Sequence, residues 1–137
     1  MIFVDTNVLI YAAGLHGEDD IRTRLARAIM GGHADLAMSV QVIREFFDAS
    51  TRRARISHLS DHEAIAFVDE WRKSATMIDL TSALFDQAIT VRSRFGYRYY
   101  DCEIIAAALS LGCDTLYSED MQHGQVIDGL TIVNPFL

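Results

Sequence analysis

Short apolar runs alternate along the chain with longer stretches of helical periodicity. Ile2 to Val4 is a compact β run, followed by a short helix through Val8, Leu9, Ile10 and Tyr11. Asp19 or Asp20 is placed to cap a second helix, in which Ile21, Leu25, Ala28 and Ile29 recur at helical spacing until Gly31 and Gly32 stop it. Leu36 to Met38 reads as the next strand, and Ser39 as the cap of a helix reaching about Arg53. Ser60 and Glu63 form a capping box for a helix through about Lys73. Met77 to Leu80 is a third strand, and Thr81 caps a helix ending at Gly96. A further helix spans Asp101 to Leu111 with Gly112 as its stop, and strands at Asp114 to Tyr117 and Thr131 to Val133 complete the pattern.

Strands separated by helices of this length predict one α/β domain over residues 1–137, built on a central, mainly parallel sheet covered on both faces. In such sheets a ligand meets the carboxyl ends of the strands. That rule directs attention to acids. Asp5 directly follows the first strand, and Ser118, Glu119 and Asp120 follow the strand at Thr115 to Tyr117. An Asp at such a place also serves as a helix cap, and from position alone both readings of Asp5 stay open.

Two helices carry further acids. On the Asp101 helix, Ile104, Ile105, Ala108, Leu109 and Leu111 form an apolar stripe with Asp101 at its centre. A carboxylate there is costly unless it is paired or holds a cation, although a first-turn acid also complements the helix dipole. Glu103 and Ser110 fall on the opposite side, where the pattern predicts solvent. On the Ser39 helix, Val40, Val42, Ile43, Phe46, Phe47 and Ala49 cover one half of the circumference. Glu45 lies at its boundary, whereas Gln41, Arg44 and Asp48 are predicted to point outward. Two carboxylates 4 Å apart repel by about 4 kcal/mol at an effective dielectric near 20, so acids gathered from four segments need protons or cations. Hard oxygen donors favour Mg²⁺ or Mn²⁺, and such ions activate water against a phosphate ester.

Charge and composition narrow the classes. Half of the 137 residues are hydrophobic and 23% are charged, an ordinary globular mixture. No apolar run reaches the roughly 18 residues of a membrane span. The opening MIFVDTN lacks the basic flank and apolar run of a secretory leader, so a cytoplasmic protein is expected. Cys102 and Cys113 show no paired-ligand spacing and read as reduced thiols. The net charge of −7 argues against gripping nucleic acid by bulk positive charge, but metal-bearing acids can still meet phosphate. Eleven of the twelve bases are Arg, a skew that codon preference also produces. His58 and His62 are four apart, but a helix begins between them, which breaks a shared ligand face. Arg52, Arg53 and Arg55 suit a solvated helix end or RNA guidance, and Tyr97, Tyr99 and Tyr100 suit core packing, dimer packing or base stacking.

Together the segments IFVDTNVLIYA, SVQVIREFF, YYDCEIIAAALSLGC and TLYSEDM resemble the PIN-domain nucleases, and in order and spacing the VapC-type ribonuclease toxins. The resemblance spans nearly the whole chain. It implies a three-layer α/β/α fold in which Asp5, Glu45, Asp101 and Asp120 bind Mg²⁺ or Mn²⁺, with Thr6, Asn7 and Ser118 in support. It further implies a metal-dependent endoribonuclease acting on RNA and restrained by a VapB-like antitoxin, whose C-terminal segment lays an Arg or Lys among the acids. Leu9 and Leu15 are then expected as exposed anchors for that partner, and a homodimer is expected on general grounds. Many relatives carry a small or apolar residue where Glu103 stands, so Glu103 is left outside the site. Glu119 competes with Asp120 for the fourth place. Two other readings remain: a phosphoryl-transfer domain using Asp5, disfavoured by the mid-helix place of the lone Lys73 and the absence of a Gly-rich phosphate loop, and a non-catalytic PIN-like binding module.

Overall fold

The computed structural model describes residues 1–32 and 35–137. Its strands are β1 (Ile2–Val4), β2 (Leu36–Ser39), β3 (Thr76–Ile78), β4 (Thr115–Tyr117), β5 (Val126–Ile127) and β6 (Leu130–Val133). Among them run α1 (Thr6–Ala12), α2 (Ile21–Gly32), α3 (Val40–Ser50), α4 (Asp61–Arg72), α5 (Ser82–Phe95) and α6 (Tyr99–Ser110). The strands form one sheet in the order β3-β2-β1-β4-β6-β5, parallel throughout except for β5 against β6. This is the mainly parallel, helix-flanked α/β/α architecture that the alternation implied. Phe3, Val4, Ala37, Met38, Leu116 and Ile132 are fully buried in its strands, as expected where helices cover both faces. Phe46, Ile104 and Ile105 close over them from the helices.

Local signals set most of the boundaries. Ser39 Oγ accepts from Val42 N at 3.3 Å, the Ser60–Glu63 capping box is complete, and Thr81 Oγ1 accepts from Leu84 N at 3.1 Å. Gly96 ends α5 in the left-handed conformation at φ 73°, which a side chain would resist. Four boundaries differ from expectation. α3 stops at Ser50, short of Arg53, because the Thr51 hydroxyl donates to Phe47 O at 2.7 Å and the Leu59 amide takes Ser50 O. β3 ends at Ile78, before Leu80, because its partner β2 ends at Ser39, which turns away to cap α3. α6 begins two residues early, at Tyr99. α2 runs through Gly31 and Gly32, and residues 33–34 lie outside the described residues.

The β5–β6 hairpin is absent from the sequence reading although its signal is printed in the chain. Asp128 and Gly129 both take positive φ, 49° and 88°, between paired Ile127 and Leu130. An Asp-Gly pair between apolar residues is the expected two-residue hairpin turn.

Candidate active site

The strand order reverses at β1. β2 and β3 extend the sheet on one side, while β4 and β6 extend it on the other. The crevice beyond the carboxyl ends of β1 and β4 is therefore the switch point where open α/β sheets bind ligands. A cleft of about 270 Å³ opens there, and Asp5, Glu45, Asp101 and Asp120 all line it. Four acids from four separate segments are thus brought to one place.

Each acid is held by its own partners. The Asp5 amide donates to Tyr117 O at 3.0 Å, continuing the β1–β4 ladder, so its side chain leaves the sheet at the crevice. Asp5 Oδ1 accepts from the Thr6 amide at 2.7 Å and Oδ2 from Ser118 Oγ at 2.8 Å. Asp5 is therefore both the cap of α1 and a wall of the cleft, which unites the two readings its position left open. Glu45 Oε2 accepts from Thr6 Oγ1 at 3.0 Å, and Oε1 accepts from Gln41 Nε2 at 2.9 Å. Asn7 Nδ2 donates to Asp120 Oδ2 at 3.3 Å, and the Asp120 amide donates to Ser118 Oγ at 3.3 Å. Asp101 faces Arg98 in an ion pair of 3.5 Å. Thr6, Asn7 and Ser118 thus all touch the acids they were expected to support.

Glu119 is turned elsewhere. The Tyr11 hydroxyl donates to its carboxylate at 2.8 Å, and Arg22 donates to that hydroxyl in turn. Asp120, and not Glu119, lines the cleft.

Burial and mutual repulsion show in the protonation of these groups. Asp5 is 5% exposed, and desolvation pushes its pKa up to about 6 against the pull of Ser118 and Thr6, with Glu45 and Asp101 adding repulsion. Asp101 is also raised, chiefly by burial, with Arg98 opposing and Asp120 and Glu45 reinforcing. The cleft thus holds more negative charge than its own residues neutralise.

Three expectations fail. Glu103 is only 3% exposed, and burial raises its pKa while Arg44 opposes and Glu45 reinforces. The helical wheel assumed one wet face, but α6 is buried from Cys102 to Ala108, packed against α5, β2 and β4. Glu103 nevertheless is not among the residues lining the cleft. Gln41, expected to point outward, is 3% exposed: its Nε2 bridges Glu45 Oε1 and, at 3.2 Å, Tyr100 O. No periodicity marks it, because the α6 backbone that covers it lies 59 residues away. Leu9 and Leu15, expected as exposed anchors, are both buried: Leu9 lies on α1, which packs against α2 and α3, and Leu15 joins the same core just after it.

The donor set suits a hard divalent cation: carboxylates, one of them buried, crowded beyond what Arg98 offsets. Gln41 adds an oxygen. Both protons used by its Nε2 fix the amide orientation, and its buried Oε1 is left with no hydrogen-bond partner. As they stand, no three His, Cys, Asp or Glu among the described residues are arranged to hold an ion. Lys73 lies past the end of α4, paired to Glu70 at 2.9 Å, and takes no part in the cleft. Cys102 and Cys113 are free and buried, and no helix among the described residues is long and apolar enough to cross a membrane.

A parallel α/β sheet with an acid-lined cleft at its switch point defines a class of domain, and the matching family model identifies it. The PIN domain model matches residues 2–127, and the chain belongs to that family. No curated protein matches it. Among solved structures, it is similar to VapC20 of Mycobacterium tuberculosis, described as a sarcin-ricin loop cleaving toxin, at 21% identity and TM-score 0.68, covering 88% of this chain and 90% of that one. A toxin–antitoxin complex from Klebsiella pneumoniae is similar at 18% identity and TM-score 0.71, with 98% of each chain covered. VapBC2 from Rickettsia felis, bound to a DNA fragment from its promoter, is similar at 16% identity and TM-score 0.65, covering 96% and 97%. At these identities the likeness establishes a shared fold.

Proposed function

We propose that this PIN domain is a metal-dependent endoribonuclease, the toxin of a toxin–antitoxin pair. The observation that carries the reading is the convergence of Asp5, Glu45, Asp101 and Asp120 on one cleft at the sheet's switch point. The four acids would hold Mg²⁺ or Mn²⁺. Bound there, such an ion polarises the phosphodiester and lowers the pKa of an attacking water. The chain's own residues orient the ligands: Ser118 and Thr6 fix Asp5, Thr6 and Gln41 fix Glu45, and Asn7 fixes Asp120. Among the described residues no histidine lines the cleft to act as a general base. Water attack with the 3′ oxygen as leaving group breaks the P–O3′ bond and leaves a 5′-phosphate and a 3′-hydroxyl.

The partner is a VapB-like antitoxin that inhibits by placing a cation among the acids. Support comes from the neighbours, which include a toxin–antitoxin complex and VapBC2, and from Arg98, which shows that a guanidinium fits beside Asp101. The experiment is cleavage of total cellular RNA with Mg²⁺, with Mn²⁺ and with EDTA, the cut ends being mapped, and then repeated with the neighbouring small gene co-expressed. Full activity in EDTA, or cyclic 2′,3′-phosphate ends, would overturn the mechanism. A co-purifying partner that leaves cleavage undiminished would overturn the inhibition.

A further inference from the structure

One edge of the cleft differs in chemistry from the rest. Arg98 is the single cation lining it among the described residues, its side chain is 83% exposed, and its one ion pair, to Asp101, is long at 3.5 Å. Arg98 also stands at the N-cap of α6, where no side chain caps the first turn, so a positive helix end opens at the same edge. Two residues on, Tyr100 lines the cleft and is 63% exposed. Its ring is braced edge-on against Tyr99 at 5.4 Å, and Tyr99 rests on Phe85 at 5.7 Å, so an aromatic face is held ready on a packed support. Beneath them the Tyr100 carbonyl is tied to Gln41, whose buried Oε1 still lacks a donor. A guanidinium, a helix end and a braced aromatic ring are the parts needed to seat one nucleotide of a single strand.

Resting on the reading above, we infer that Arg98 and Tyr100 form a nucleotide-seating subsite at this edge of the cleft. Arg98 binds the phosphate next to the scissile bond, and Tyr100 stacks the adjoining base. Without substrate, Arg98 instead offsets Asp101 and so competes with any cation that Asp101 would hold. Its two roles give effects of opposite sign. A duplex keeps its bases stacked on one another and cannot present one to Tyr100.

The test uses the full chain, a short labelled RNA offered as a single strand and as a blunt duplex, and Mn²⁺ titrated alone by electron paramagnetic resonance. Arg98→Ala is expected to raise KM for the single strand by about tenfold, with a smaller change in kcat, and to reduce the salt dependence by about one phosphate contact. The same variant should bind Mn²⁺ more tightly than wild type, which a merely structural role of Arg98 would not produce. Arg98→Lys should recover most of the KM. Tyr100→Leu should raise KM by about five- to a hundredfold, the range of one base–aromatic stack, while Tyr100→Phe stays near wild type. Unchanged KM in both Arg98→Ala and Tyr100→Leu, weaker Mn²⁺ binding in Arg98→Ala, or equal cleavage of the duplex overturns the subsite, provided that wild type cuts the single strand. Wild type inert on every RNA overturns the functional reading, and the subsite with it.

Discussion

Asp5 and Asp20 are the same residue type at two helix starts, and the fold drives them in opposite directions. Asp20, at the start of α2, meets Arg22 in a two-pronged pair at 3.0 and 2.8 Å and also accepts from the Arg22 amide, which together lower its pKa to about 2. Asp5, at the start of α1, is desolvated and faces Glu45 and Asp101, and it is raised to about 6. Both accept a backbone N–H, so capping does not separate them. The difference lies first in burial, which desolvates Asp5, and then in what stands opposite each: a matched guanidinium for Asp20, other carboxylates for Asp5. Asp20 is complete within the chain. Asp5 has hydrogen bonds from Thr6 and Ser118 but no ion pair within the described residues.

Mutation separates the two most sharply. Asp5→Asn is expected to lower RNA cleavage by more than about a hundredfold, the upper end of what loss of a ligand-supporting group costs, while the fold persists. Asp20→Asn should leave cleavage in place and lower the melting temperature slightly. Cleavage assays beside thermal melts of both variants check the contrast, and an active Asp5→Asn would break it.

The next largest effect is on pH. A carboxyl whose pKa is raised by folding from an ordinary 3.8 to about 6 favours the fold in its protonated form. Its contribution is full below about pH 4 and is lost as pH rises through about 6, some two pKa units or about 3 kcal/mol. Asp20 has the opposite sign: its stabilisation is present above about pH 4 and lost as pH falls towards 2. Urea unfolding without divalent ions, followed from pH 4 to pH 8, should show wild type losing stability across a window that Asp5→Asn flattens. A divalent ion should recover that loss. Mn²⁺ at pH 7.5 is expected to raise the melting temperature of wild type, to do less at pH 5 where Asp5 is protonated, and to do least in Asp5→Asn. EDTA should reverse each rise.

The smallest effect belongs to Glu103. Because burial raises its pKa and it does not line the cleft, Glu103→Gln should increase metal-free stability near pH 7 and leave cleavage intact. Loss of cleavage with folding unchanged would place Glu103 in the active machinery.

Much of this was legible because its physics is local. Ser39, Ser60 and Thr81 cap their helices through amides three positions on, and the alternation of apolar runs with helical periods implies the parallel sheet. Asp5 and Asp120 were findable because strand ends in such sheets face ligands. Gln41 and Glu103 were not, because a wheel places a side chain on a face but does not say what covers that face. Arg98 and Tyr100 are brought together by the start of α6 at the edge of the cleft, which no local pattern in the chain marks.

By itself the sequence determined most of the elements and their caps, and the class of fold. Those follow from forces acting between residues a few positions apart. Tertiary structure decided which acid has its pKa raised most, that Tyr11 takes Glu119 while Asp120 keeps the cleft, and that Gln41 is buried. Those depend on desolvation and on partners up to 113 residues distant, as in the bond from Ser118 to Asp5. Chain order does not encode that proximity until the sheet has formed.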